Sequence, residues 1–263
     1  RIPATKFHDG IIDGVDFDGL DRFAIDGQRL IVKSGTSGVY GANGTIYETE
    51  NFSNLKVTSY GVHSSGSNYG PSYFIVEYPD GSKAYYGNST DSRSITDWSI
   101  TSWENVQGVK ISYNYTLTNN LLEIISIKYG ARASATPINE IQFGYEPRVR
   151  QENFYIGGQS IIRNNRLKEI RSIGNGVGFR NYDLGYSSTS LNYDQLNKIT
   201  EKNGDRTKSY NPTVFYYSST DDSIKYVPNP NLLSVDNVSS INASSVTGDF
   251  DGDGNMDFLL YPT

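Results

Sequence analysis

Near its carboxyl end the 263-residue chain reads GDFDGDGNMDFLLY. Counted from Asp249, oxygen-bearing side chains stand at positions one (Asp249), three (Asp251), five (Asp253), seven (Asn255) and nine (Asp257), with Gly254 at position six. Ca²⁺ takes six to eight oxygen ligands at about 2.3–2.6 Å, and a tight loop supplies them from alternate residues where a glycine permits the turn. Position seven commonly offers its backbone carbonyl, so Asn255 need not use its side chain. A helix-flanked calcium loop would close on a bidentate glutamate at position twelve; here that residue is Leu260, and FLLY reads as a strand. The spacing therefore predicts calcium in a strand–loop–strand unit, with Asp257 as the closing carboxylate. The ion is expected to be structural, because it removes the repulsion among crowded carboxylates and fixes the loop.

Other residues invite a catalytic or binding reading. The two histidines are His8, beside Asp9, and His63, in YGVHSSGSNYG among serines. No nucleophile elbow or oxyanion hole accompanies either, so both read as surface or turn residues. Trp98 and Trp103, in DWSITSWENVQG, have the chemistry to stack on a sugar ring, but they read first as core packing or a covered sheet edge. Asp13, Asp16, Asp18 and Asp21 lack the alternate-residue register and read as turn residues without a metal. The 29 acidic residues offer too many candidates for a paired-carboxylate glycosidase to be read from spacing. The chain is expected not to be an enzyme.

The elements that would position these residues are strands. Aromatics make up 13% of the chain, 21 of them tyrosine, among 26 glycines. Tyrosine and β-branched residues suit a pleated surface, and glycine, asparagine and aspartate suit the turns between strands. Amphipathic helix is nearly missing from the pattern: NNRLKEIRSIGNG holds one turn of it before glycines intervene. Net charge is −6 with both signs interspersed, which argues against nucleic acid and anionic membranes as partners. No apolar run approaches the roughly 20 residues of a membrane-spanning helix. Absence of cysteine favours an exported protein. The opening RIPATKFHDG shows no signal peptide, and both ends read as cuts in a longer polypeptide.

Along the chain, RFAIDGQRLIV predicts strand, Asp-Gly turn, strand, and YFIVEYPDGSKAYYG repeats the device, with Tyr73–Tyr78 and Lys83–Tyr86 flanking Pro79-Asp80-Gly81. Between them YETENFSNLKVTSYG alternates well enough for one or two more strands. From about residue 100 a loose repeat emerges. Leu-x-x-Ile followed by glycine occurs at Leu122, Ile125 and Gly130, at Leu167, Ile170 and Gly176, and at Leu196, Ile199 and Gly204. A tyrosine-rich segment follows each: INEIQFGYEP, FRNYDLGYSS and YNPTVFYYSS. Such recurrence predicts stacked hairpins, each needing a neighbour to bury its face. Residues 218–245 turn rich in Ser, Asn and Asp with two prolines and read as a connector.

The aspartate loop resembles the FG-GAP (VCBS) blade motif of integrin-type β-propellers. DGVDFDGLDRFAIDGQRLIVKSG and YFIVEYPDGSKAYYG resemble the amino-terminal region of the SpvB family and of toxin-complex B components, and the Leu-x-x-Ile units are similar to RHS (YD) hairpin repeats. The resemblance implies an all-β fold of stacked hairpins and twisted antiparallel sheets, ending in the start of a propeller blade. It divides the chain into a shell region (1–220), a connector (221–243) and a calcium-binding blade cut short (244–263). It implies a non-catalytic segment of a secreted or surface bacterial protein, part of a β-shell around a toxin cargo. The implied partners are the rest of the polypeptide, that cargo, and secretion machinery or other toxin-complex subunits. Only one blade motif is present, and neither an ADP-ribosyltransferase motif nor an autoproteolytic core occurs in the sequence. Three alternatives stand beside this: a cell-surface adhesin or carbohydrate-binding module, a fragment held by its secretion machinery, and a secreted hydrolase.

Overall fold

The computed structural model describes residues 1–189, 191–217, 243–248 and 257–262. The chain divides into two compact units, Arg1–Asp222 and Ser223–Thr263. The first is all-β apart from a short helix, α1 (Lys6–Asp9), and one 3₁₀ turn. Its strands are β1 (Ala24–Ile25), β2 (Gln28–Val32), β3 (Ile46–Thr49), β4 (Lys56–Tyr60), β5 (Tyr73–Glu77), β6 (Lys83–Tyr86) and β7 (Ile100–Glu104). Seven more follow: β8 (Val109–Thr118), β9 (Leu121–Arg132), β10 (Asn139–Ile156), β11 (Gln159–Gly174), β12 (Val177–Ser188), β13 (Asp194–Asn203) and β14 (Thr213–Val214). All fourteen lie in one antiparallel sheet in sequence order, so every connection runs between neighbouring strands. The fold class expected from the sequence is the one observed.

Turn chemistry sets the tightest of these connections. Asp26-Gly27, Asn119-Asn120, Gly157-Gly158 and Asn175-Gly176 each hold both central residues at positive φ, which matches the twist of two-residue hairpins. They join β1 to β2, β8 to β9, β10 to β11 and β11 to β12. The strands expected at Tyr73–Tyr78 and Lys83–Tyr86 are β5 and β6, and YETENFSNLKVTSYG supplies both β3 and β4. NNRLKEIRSIGNG, the one stretch with a trace of helical pattern, lies in β11 and its turn.

Two regimes of packing divide this sheet. Up to β7 it curls around an apolar core of Phe23, Leu30, Tyr47, Val57, Phe74, Val76 and Ala84, backed by half-buried Trp98 and Trp103. Burying a side chain of the size of Val or Phe contributes about 1.5–3 kcal/mol, so this cluster dominates the unit's stability. Arg1 closes one side. Its guanidinium pairs with Asp21 at 2.5 Å, both side chains 1% exposed, and lies within 6.0 Å of the rings of Phe17, Phe23, Tyr69 and Trp98. Asp21, expected to be a turn residue, is thus a buried counter-ion.

From β8 onward the sheet is thin. Alternation places Tyr113, Ile127, Ile141, Phe143, Ile170, Tyr182, Leu184 and Ile199 on one face, all half-buried. The other face is polar: Glu169 and Asp183 stand directly opposite, and Arg206 bridges both while Lys202 pairs with Asp183 at 2.6 Å. Without those cations two facing carboxylates would weaken the ladder. The long β10–β11 hairpin reaches back to the amino-terminal loop. At its tip a Cβ on Gly157 would come within 2.8 Å of the Asp16 Cα, and φ there is +51°, so glycine is required.

In the second unit β15 (Ala243–Gly248) pairs antiparallel with β16 (Asp257–Pro262), with Gly248 opposite Asp257.

Candidate functional site: clamped hairpins and acidic loops

The chemistry that recurs in this chain is a hydrogen bond. The Tyr115 hydroxyl donates to the Ile100 carbonyl at 2.8 Å, Tyr145 to Ile124 at 2.8 Å, Tyr186 to Leu167 at 2.5 Å and Tyr217 to Leu196 at 2.7 Å. The four geometries are equivalent. In each, the ladder to the preceding strand ends three residues before the tyrosine, at Ser112, Gln142, Asp183 and Val214. The accepting carbonyl lies two residues before the last ladder partner (Ser102, Ser126, Glu169 and Lys198). A bulge immediately precedes Tyr115, Tyr145 and Tyr186. Beyond it the strand pairs only with its successor: Tyr115 with Ile124, Tyr145 with Leu167, Tyr186 with Leu196.

The extra residue of each bulge, Ile125, Lys168 or Asn197, lies in the successor strand and bends it there, while the phenol spans the gap behind, where the ladder to the predecessor has ended. Burial pushes the Tyr115 hydroxyl up to about 12 and raises Tyr145 and Tyr186 as well, so all three remain protonated donors at neutral pH. Arg166 of β11 lies 4.4 Å over the Tyr186 ring of β12 and pairs with Glu146 of β10 and Asp194 of β13, tying four strands together at the clamp.

These pairings correct the repeat read from sequence. Tyr113 faces Ile127, Phe143 faces Ile170, and Leu184 faces Ile199. The residues equivalent to Leu167/Ile170 and Leu196/Ile199 are therefore Ile124/Ile127, two positions beyond Leu122/Ile125. The run Leu121-Leu122-Glu123-Ile124-Ile125-Ser126-Ile127 fits the pattern in several frames, and only cross-strand pairing selects one.

Of the five calcium-loop residues, Asp249, Asp251, Asp253 and Asn255 lie outside the described residues. Asp257 begins β16, opposite Gly248 at the end of β15. At the other end of the chain, carboxylate oxygens of Asp13, Asp16 and Asp18 lie within 4.8 Å of one another. The Asp16 carboxyl is raised by desolvation and by Asp18, Asp13 and Asp21. Asp21 itself is engaged, accepting from the Asp16 and Phe17 amides as well as from Arg1.

His63 is buried, contrary to the surface reading. Its Nδ1 accepts from the Ser65 amide at 3.1 Å, so Nε2 carries the proton and donates to the Ser94 carbonyl at 3.1 Å. Both ring nitrogens are thereby committed to backbone, and burial lowers its pKa. His8 Nε2 lies 2.9 Å from Glu50. The Trp98 indole donates to the Pro71 carbonyl at 3.0 Å and packs edge-on to Phe23 and Phe74. With Trp103 it belongs to the core margin rather than to an exposed sugar platform.

The architecture defined so far is a single meandering sheet whose hairpins are latched by tyrosines. Solved structures of similar fold include an effector domain and a Tc holotoxin pore. The amino-terminal domain of the effector SpvB from Salmonella typhimurium strain LT2 is similar with a TM-score of 0.56 at 14% identity, covering 68% of this chain and 79% of that one. A chain of the Photorhabdus luminescens Tc holotoxin pore has a TM-score of 0.62 at 14% identity, over 90% of this chain and 14% of that one. The TcdB2-TccC3-Cdc42 crystal structure gives 0.60 at 14% identity with the same coverage. The chain thus spans about one seventh of the length of those two. At this identity the likeness establishes the fold. The chain matches no protein-family model and no curated protein sequence.

Proposed function

We propose that the chain is a non-catalytic wall segment of a large exported bacterial protein of the toxin-complex type, and that the wall encloses or delivers a toxin cargo. The observation that carries this reading is the sheet from β8 onward, in which successive hairpins repeat one latch and set an apolar face opposite a polar one. The SpvB-like and Tc-like fold supports it. Its partners are then the rest of the same polypeptide, the cargo, and other toxin-complex subunits or secretion machinery. Among the described residues no helix is long and apolar enough to cross a membrane.

The last residues belong to a calcium-binding FG-GAP-type blade in the same proposal. The β15–β16 strand pair fits it, with Asp257 held where the strand begins. Asp249, Asp251, Asp253, Asn255 and Asp257 would hold the ion, which supplies charge neutralisation and no catalytic step.

Protease protection tests the wall. In the full-length polypeptide a cleavable reporter fused at the carboxyl terminus should resist digestion, and combined Tyr145→Phe and Tyr186→Phe substitutions should increase its cleavage. A reporter cut as fast as the free reporter would refute enclosure. Turnover of any ester, glycoside or peptide by the purified chain would refute the non-catalytic assignment.

A further inference from the structure

The β10–β11 hairpin has two unlike halves. At its root, Asn139–Gln142 pair with β9 and Glu169–Gly174 pair with β12. Beyond Pro147 the four residues Arg148–Gln151 stand opposite Asn164 alone, and pairing then resumes from Glu152 with Arg163 to Ile156 with Gln159. This outer ribbon, Glu152–Arg163, has no third strand on either side among the described residues. A two-stranded hairpin by itself is marginally stable in water, so the ribbon depends on what it lies against. The holding contacts are few. Ile161, 3% exposed, is its one buried residue. Asn120 Nδ2 donates to the Ser160 carbonyl at 2.9 Å, the Ile162 amide donates to the Asn119 carbonyl at 3.2 Å, and the Gly157 tip rests on Val15, Asp16 and Phe17. Phe154, Ile156 and Ile161 share one face of the ribbon. They line an open groove of about 430 Å³, whose other wall includes Trp98, Leu121 and Leu122.

We propose that Glu152–Arg163 is a hinged flap that swings as one unit about the Arg148–Gln151 bulge, covering and baring the apolar groove. The bulge supplies the hinge, because a ladder bends where its pairing is interrupted. The tip supplies a releasable seat, which fits only because Gly157 carries no side chain. Closed, the chain covers its own apolar surface. Open, it presents Phe154, Ile156 and Ile161 together with the opposing wall. Opening gives up chiefly the burial of one aliphatic side chain and two hydrogen bonds that water replaces, far less than unfolding the core of β1–β7. Segments held this lightly are the ones that open well below the global transition. The motion requires no enclosed cargo and stands apart from the wall proposal.

Amide hydrogen exchange and a pair of spin labels on the full chain test the flap. The chain has no cysteine, so Thr90→Cys and Tyr155→Cys give two unique labelling sites, both exposed. The cross-ribbon amides of Glu152–Arg163 are expected to exchange at one common rate, about tenfold or more faster than those of Glu169–Gly174, and the labels to show a second distance population. Ile161→Ala removes the buried anchor, and Gly157→Ala puts a methyl group 2.8 Å from the Asp16 Cα. Each should enlarge the second population and speed ribbon exchange by about tenfold or more again, with Glu169–Gly174 unchanged. Exchange graded from tip to root is fraying and overturns the proposal. A ribbon as protected as the β11–β12 ladder overturns it in the parent chain, whether or not either variant folds. A single distance population in the parent and both variants overturns it as well.

Discussion

Replacing Tyr145 by phenylalanine removes one hydroxyl and nothing else from a latch whose geometry recurs along the sheet. The lost bond is the 2.8 Å donation to the Ile124 carbonyl. A net hydrogen bond contributes about 1 kcal/mol, and a buried carbonyl left without a donor adds to the loss, so the expected destabilisation is roughly 1–2 kcal/mol. The effect should be local. Past Gln142 the β9–β10 ladder has ended, so around Tyr145 the phenol is the link across that seam. Amide hydrogen exchange should therefore accelerate by roughly tenfold in β10 near Tyr145 and in β9 near Ile124, with little change in β3–β5. Combining Tyr145→Phe with Tyr186→Phe, whose bonds lie on different seams, should give nearly additive losses. A stability change below about 0.3 kcal/mol for Tyr145→Phe, with unchanged exchange at the seam, would refute the clamp as an energetic feature and leave it a packing coincidence.

Other consequences are equally open to measurement. Asp21→Asn leaves the buried Arg1 guanidinium without its counter-charge, and such a loss costs about 3–5 kcal/mol, read as a fall in urea midpoint; an unchanged midpoint would show that the cation is solvated after all. His63 has its pKa lowered by burial, so the unfolded chain binds more protons than the folded one below the unfolded value of about 6.5. Its contribution is complete above that pH and is lost as pH falls through the interval down to the folded pKa; His63→Gln should flatten this part of the stability profile, and a profile left unchanged would count against it. Chelation of Ca²⁺ should speed exchange in the last twenty or so residues and leave β1–β14 protected. Melting of the whole chain on chelation would overturn the division between the calcium loop and the hairpins.

What could be read from sequence was what local chemistry decides. Asp26-Gly27 and Pro79-Asp80-Gly81 announce their turns because backbone conformation there is set within four residues, and the strands on either side follow. The tyrosine-rich segments after each Leu-x-x-Ile unit were visible as composition. Their function as latches was not, since Tyr145 meets a carbonyl 21 residues away and Tyr115 one 15 away, and backbone acceptors carry no sequence signature. His63 misled for a related reason. Its serine- and glycine-rich surroundings look solvated, but its burial comes from Tyr69, Trp98 and the Ser94 carbonyl, the last 31 residues on. The frame of the first repeat unit failed because five of the seven residues Leu121–Ile127 are aliphatic, leaving periodicity with no preference.

The latch also explains how such a sheet tolerates having little core. Beyond β7 the apolar face is mostly half-buried, with Tyr115, Ala131 and Ile161 the buried residues, so burial alone would hold each added hairpin weakly. A continuous ladder through fourteen strands would instead accumulate twist and curl the sheet away from an even wall. A bulge in each forward seam bends the successor strand, and a tyrosine at the same level keeps the backward seam closed where main-chain pairing has stopped. Stability then becomes a sum of neighbour terms, as in other repeat architectures, and a lost clamp should loosen one seam without unravelling the rest. The uneven connections fit this arrangement: four residues join β7 to β8, whereas nine join β13 to β14, yet the clamp geometry is the same. The clamp is thus set by the register at each tyrosine and not by the length of the loop before it.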